Sequence, residues 1–175
     1  MQAMPSASPT TRNTHEQQLM RLANKRKVLR ARDVAEQGLP TIALTRLVQA
    51  GKLERVARGL YGLPGAATSE HRSLAEVAVR VPKGVVCLLS ALRFHEIGTQ
   101  APFEVWLAIP NRVAAPRIAQ PAIRVVRMSD AALSEGFQRK RIDGIQVPVF
   151  NPARTVVDCF RFRNKIGLDV ALEAL

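Results

Sequence analysis

Arg46, Arg55 and Arg58 fall in one short stretch with Lys52, and Thr41, Ile42, Thr45 and Gln49 stand among and before them. These side chains have the chemistry of duplex recognition. A guanidinium is a planar fork of donors that fits two acceptors on a guanine edge or two oxygens of a phosphate. Hydroxyl and carboxamide groups pair with base edges, and an apolar side chain such as Ile42 meets a thymine methyl. Assigned by type and place, Thr41, Ile42, Thr45, Arg46 and Gln49 face bases, and Lys52, Arg55 and Arg58 face phosphate.

Positioning such groups takes two helices and a hairpin, and the flanking residues code for both. Arg32 to Gln37 reads as a short helix with Val34 and Ala35 turned inward, stopped by Gly38, which takes a left-handed conformation without steric penalty. Pro40 forces Leu39 into an extended step. A second helix is predicted over about Thr41 to Ala50, ended by Gly51. At 100° per residue Ala43, Leu44, Leu47 and Val48 share one face, and Ile42, Thr45, Arg46 and Gln49 the other. Lys52 to Val56 and Leu60 to Leu63 then flank Arg58-Gly59 as a hairpin with Arg55 and Arg58 near its tip. An earlier helix, His15 to Lys25 with Thr14 as N-cap and Leu19, Leu22 and Ala23 inward, completes a three-helix base. This is the order of a winged helix-turn-helix, whose second helix enters the major groove. A basic helical subdomain with a hairpin lid is the competing reading of the segment.

Charge supports the first reading. The chain carries +12 over 175 residues, with 20 Arg against 6 Lys. Residues 1 to 68 hold 11 basic and 4 acidic groups, and residues 69 to 175 hold 15 and 10. Positive charge is denser on the segment that reads as a winged helix, although an RNA partner or a basic proteome would give a similar excess. The run Lys25-Arg26-Lys27, with Arg30 and Arg32, reads equally as a phosphate contact or a solvated face.

Residues 1 to 13, rich in Ser, Thr and Pro, read as a mobile arm without the apolar core of a signal peptide. The longest apolar run, Val85 to Leu89, is far short of the roughly 20 residues that span a bilayer. Cys87 and Cys159 sit in apolar surroundings as core thiols, and neither a metal nor another cofactor is expected. A reducing cytoplasm is the expected compartment.

Residues 64 to 68 form a linker, dividing a winged helix over 14–65 from an α/β domain over 69–175. The fold class is therefore α/β (α+β), with a mixed sheet in the second domain. There, a helix capped by Thr68 or Ser69 runs to Val81 with Leu74, Val77, Ala78 and Val81 inward. Val85 to Leu89 reads as a strand, followed by a short helix capped by Ser90 and closed by Gly98. Phe103 to Ile109 and Ile123 to Met128 are strands joined by a Pro-rich connection. Phe137 to Ile142 and Ile145 to Phe150 flank Asp143-Gly144, a strong hairpin signal. Asn151-Pro152 opens a helix to about Phe160. Gly167 to Leu175 is an amphipathic helix without a terminal cap, which reads as a chain cut within a helix or continuing further.

Other chemistry finds little support. His95 beside Glu96 is more readily a packed or capping histidine than an acid-base pair. Arg154 and Asp158, four apart, suit a helical ion pair. With Thr155 they are read first as structural and second as a surface that counters a partner. None of the 14 acidic residues is followed two positions later by lysine, and the clustered carboxylates of a metal-dependent nuclease are missing. No enzyme is expected. A plain regulator whose second domain dimerises or senses a ligand remains an alternative, and a DNA-binding nuclease a weaker one.

The stretches ALTRLVQAGKLERVARGLYGLPG (43–65), LLSALRFHEIG (88–98) and NPARTVVDCFRFRNKIGLDVALEAL (151–175) resemble the AbiEi-type antitoxins of type IV toxin-antitoxin systems, associated with abortive infection during phage attack. The resemblance implies an N-terminal winged helix that binds inverted repeats in its own promoter, as a dimer on DNA, and represses the operon. It also implies a second domain that neutralises a nucleotidyltransferase-like toxin without requiring a stable complex. Pro40 and Thr41 depart from the serine and basic residues that often open the second helix in related sequences, and Arg46 is the only arginine on that helix.

Overall fold

Two compact units, divided between residues 68 and 69, make up the computed structural model. It describes residues 9–26, 28–65 and 69–175, without the side chains of 9–13 and 57. Among these residues no helix is long and apolar enough to cross a membrane.

The first unit is a winged helix. Its elements are α1 (Pro9–Arg26), β1 (Val28–Arg30), α2 (Ala31–Glu36), α3 (Ile42–Gln49), β2 (Glu54–Ala57) and β3 (Leu60–Gly62). Leu19 and Ala23 of α1 are fully buried with Val34 of α2, Leu44 and Leu47 of α3, and Leu29 and Leu53 of the flanking segments. Each such leucine contributes about 1.5–3 kcal/mol of transfer free energy. Ala35, expected inward, is exposed. Adjacent positions on a six-residue helix diverge by 100°, and the larger Val34 takes the core side. Helix α1 spans Pro9–Arg26. Thr14 is therefore inside a helix rather than at its cap, and residues 9–13 of the expected arm are helical. Residues 1–8 of that arm lie outside the described residues.

Both stops in the helix-turn-helix follow one hydrogen-bond scheme. Gly38 takes φ +72°, its N–H donates to the Ala35 carbonyl (2.9 Å), and the Leu39 N–H reaches back to Val34 (3.1 Å). Gly51 takes φ +67°, with Gly51 N–H donating to Val48 (3.0 Å) and Lys52 N–H to Leu47 (2.9 Å). This paired closure satisfies carbonyls that would otherwise be orphaned at a helix end, and Leu39 packs on the same core as Val34.

The second unit contains α4 (Arg72–Arg80), β4 (Val85–Val86), α5 (Leu88–Phe94), β5 (Val105–Pro110), β6 (Ile123–Met128), α6 (Asp130–Ser134), β7 (Phe137–Ile142), β8 (Ile145–Phe150), α7 (Pro152–Arg161), α8 (Arg163–Ile166) and α9 (Leu168–Glu173). Its sheet is mixed, in the order β6-β5-β4-β8-β7, with β4–β8 and β5–β6 parallel. The β7–β8 hairpin turns on Asp143 (φ +48°) and Gly144 (φ +80°), the pair of positive angles that a tight two-residue turn requires. The Asn151 carboxamide oxygen accepts from the Arg154 N–H at 2.8 Å and caps α7.

Several boundaries differ from the sequence-based expectations. Helix α4 starts at Arg72, because the Ser69 hydroxyl accepts from the His71 N–H (3.1 Å) and holds a turn ahead of it; Thr68 lies outside the described residues. The expected strand Val85 to Leu89 ends at Val86 and becomes α5 at Leu88. Residues 85 to 88 are all buried, so their apolar pattern suits either geometry. Ser90 is not a cap. It lies within α5, where its hydroxyl accepts from the Trp106 N–H (2.9 Å) and ties the helix to β5. Helix α8 was not anticipated, and Gly167 (φ +98°) separates it from a shorter final helix than expected.

Helix α5 closes on Glu96 rather than at Gly98. Glu96 takes φ +58°, its N–H donates to Arg93 (3.2 Å), and Ile97 N–H donates to Leu92 (3.0 Å), the scheme that glycine serves at residues 38 and 51. A left-handed non-glycine residue costs about 1–2 kcal/mol, offset by the roughly 0.5–1 kcal/mol of chain entropy that glycine loses on folding. Glu96→Gly should therefore stabilise the second unit by about 0.5–1 kcal/mol. Urea unfolding followed by Trp106, the chain's single tryptophan and buried in this unit, measures it. A loss of stability would refute the strain assignment.

Cys87 and Cys159 are free and buried in the second core. Burial, with the Asp158 charge adding to it, pushes the Cys159 thiol up to about 11.

Candidate nucleic-acid interface

Helix α3 is held by its apolar face. Ala43, Leu44 and Leu47 are buried, whereas Thr41, Ile42, Thr45, Arg46 and Gln49 are all exposed. Ile42 leaves 55% of its surface in solvent, where it is free to contact a thymine methyl. Thr41 precedes the helix at the cap position, yet it has helical angles and its hydroxyl makes no capping bond.

The wing is fixed by backbone contacts. β3 lies between β1 and β2, with Leu29↔Tyr61 on one side and Arg55↔Tyr61 on the other. The register shifts between Arg55 and Ala57, so Val56 is an extra residue that bends the wing strand. Gly59 at the tip takes φ +75°, and its carbonyl accepts from the Ala31 N–H at 2.9 Å, pinning the tip to the start of α2. Strand β1 was not expected from sequence. Three residues next to a helix leave no alternation to read.

Electrostatics sorts the cations of this unit. Arg32 meets Glu36 at 2.7 Å and Arg26 meets Asp33 at 3.8 Å, so α2 supplies acids to part of the dense basic run. Lys27 of that run lies outside the described residues. Lys52, Arg55 and Arg58 are exposed like Arg46, and among the described residues none of these four has an ion-pair partner. Unpaired cations keep their full attraction for phosphate, whereas paired ones must first give up a carboxylate.

Residues 17–64 match the family described as transcriptional regulator, AbiEi antitoxin. The AbiEi match spans the helices, the turn and the wing described above and does not reach the second unit. The crystal structure of the RV2827C protein from Mycobacterium tuberculosis is similar, with a TM-score of 0.56 and 17% identity over 89% of this chain and 61% of that one. At that identity the likeness concerns the fold, and this chain spans 61% of the other's length. No curated protein matches.

The unpaired cations of the wing lead to an expected salt response. Each phosphate contact removed flattens the slope of log affinity against log salt by about 0.9 on duplex DNA. The Arg55→Ala/Arg58→Ala chain should thus lose about 1.8 from the slope measured in a salt titration of operator binding. A parental slope would remove the wing from the interface.

Beyond the AbiEi match, the structure corrects one surface assignment. Thr155 and Asp158 are buried, at 0% and 1% exposure, and cannot belong to a partner-facing surface. The Thr155 hydroxyl donates to the Phe150 carbonyl (3.3 Å), and the Arg154 Nε donates to Asp158 (2.9 Å) while its guanidinium lies 5.0 Å from the Phe150 ring. These contacts lock α7 onto β8. His95 is also structural: its Nε2 lies 2.7 Å from the Phe150 carbonyl and its ring meets Phe94 edge-on. Among the described residues no group of three or more His, Cys, Asp or Glu could hold a metal ion.

Proposed function

We propose that the chain is a cytoplasmic antitoxin of a type IV, phage-defence system. Its winged helix represses its own promoter and its second unit counters a nucleotidyltransferase-like toxin. The observation that carries the DNA-binding half is the exposed polar face of α3, backed by an unpaired, cationic wing inside the residues that match AbiEi regulators. Thr41, Ile42, Thr45, Arg46 and Gln49 meet base edges in inverted repeats, and Lys52, Arg55 and Arg58 meet phosphates. Two chains on the two half-sites account for the palindromic operator that such a reader requires.

The antitoxin half rests on the resemblance of the second unit to AbiEi-type antitoxins and on that unit's own core, built from Leu88, Leu92, Trp106, Phe150 and their neighbours. A unit with its own core can act separately. Countering the toxin's effect or state, without a lasting complex, is sufficient.

Co-expression with a nucleotidyltransferase-like toxin, which this reading expects to be encoded beside the chain, tests both halves together. The full chain should rescue growth and silence a reporter driven by its own upstream region. A chain lacking residues 1–66 should rescue growth but leave the reporter on. A folded second unit that gives no rescue would overturn the division of labour, and a full chain without rescue would overturn the antitoxin reading.

A further inference from the structure

The two edges of the five-stranded sheet use their arginines differently. On β6, Arg124 meets Glu104 at 2.6 Å, and Arg127 donates to the carbonyls of Asn111 (2.7 Å) and Val113 (2.8 Å). Those cations serve the fold. On β7, at the other edge, Arg139, Lys140 and Arg141 follow one another with no side-chain hydrogen bond or ion pair among the described residues, and Arg139 and Arg141 are exposed. Successive side chains on a strand point to opposite faces, so this edge presents cations on both sides.

A charged edge by itself is a common guard against strand-to-strand aggregation. Here it borders a groove of 440 Å³ whose lining includes Lys83, Pro110, Asp130, Leu133, Phe137 and Arg139. That volume falls within the roughly 300–1,000 Å³ of small-ligand sites. Apolar Pro110 and Leu133 and the aromatic Phe137 share its lining with two exposed cations, Lys83 and Arg139, and one exposed acid, Asp130, and the Arg139 guanidinium lies 5.7 Å from the Phe137 ring. An aromatic ring beside an excess of cations fits a nucleobase and its phosphate. A duplex would offer only its backbone, because its paired bases are stacked away from such a ring, whereas a single strand can place an unstacked base there. We infer that the second unit binds single-stranded nucleic acid through this groove and the β7 edge, with Lys83, Arg139 and Arg141 on phosphate and Phe137 beneath a base. This site is separate from the winged helix and does not depend on operator binding.

The test uses the full chain with Arg46→Ala, Arg55→Ala and Arg58→Ala, so that the first unit is silenced, and a fluorescein-labelled, unstructured short RNA read by anisotropy. Binding should persist and exceed that of a duplex of equal length. Adding Lys83→Gln, Arg139→Gln and Arg141→Gln, all at exposed positions, should weaken binding at least about tenfold and flatten the log–log salt slope by about 2, at about 0.7 per contact on single strands. Phe137→Leu, which keeps an apolar group over the core, should weaken binding by about fivefold or more at an unchanged slope. No binding by the silenced chain, equal binding of the duplex, or an unchanged slope after the three glutamine substitutions would each overturn the proposal. A weakened Phe137→Leu chain with native circular dichroism supports it, and parental affinity in that variant would remove the base from the groove.

Discussion

Arg154→Met should lower the unfolding free energy of the second unit by about 3–5 kcal/mol, the cost of leaving one member of a buried ion pair without the other. Asp158 is 1% exposed and receives the Arg154 Nε at 2.9 Å from one turn earlier on α7. Methionine keeps an apolar stem against Gly136, so the loss reads chiefly the charge rather than a cavity. Urea unfolding followed by Trp106 fluorescence reports this unit alone. Replacing both partners, as Arg154→Met with Asp158→Leu, should recover most of the stability, since an apolar pair of similar volume is often as good as a buried ion pair. A cost below about 1 kcal/mol for the single change would place the pair among solvent-screened surface bridges and contradict its burial.

Arg46→Ala should weaken operator binding by about 1–3 kcal/mol, or roughly 5- to 150-fold, and should change binding to random duplex little. Arg46 is the one arginine of α3, it is exposed, and no acid among the described residues holds it. The asymmetry between operator and random DNA identifies the contact. A bidentate bond to a base edge is lost only where the correct base stands, while a phosphate contact is lost everywhere. Equal losses on both sequences would transfer Arg46 to the backbone class with Arg55 and Arg58. Competition titrations at fixed salt make the comparison, because salt shifts both affinities together.

Much of the winged helix was legible from residues a few positions apart. Gly38 and Gly51 mark stops because a left-handed residue is needed within one turn of the helix end, and both adopt that angle. The two faces of α3 follow from its 3.6-residue repeat. Asp143-Gly144 and Asn151-Pro152 encode a turn and a helix start in the same local way, and both elements form where expected. The weaker expectations failed where local information is ambiguous. Residues 85 to 88 are buried in strand and helix alike, so their apolar run could not announce the change from β4 to α5. Glu96 occupies a left-handed position that sequence reading reserves for glycine, and Gly98 two residues later drew the assignment.

The order of the modules, the polar and apolar faces of α3 and the turns that a few residues encode are readable along the chain, because backbone angles and helix periodicity are set over short spans. Tertiary structure decided the sheet order β6-β5-β4-β8-β7, the addition of β1 to the wing, and the burial of Asp158. It also decided which cations are spent. Arg32 and Arg124 are held by Glu36 and Glu104, while Arg46 and Arg139 meet no carboxylate among the described residues. One arginine resembles another in a sequence, and its availability to a phosphate depends on which acid the folded chain brings within a few ångströms.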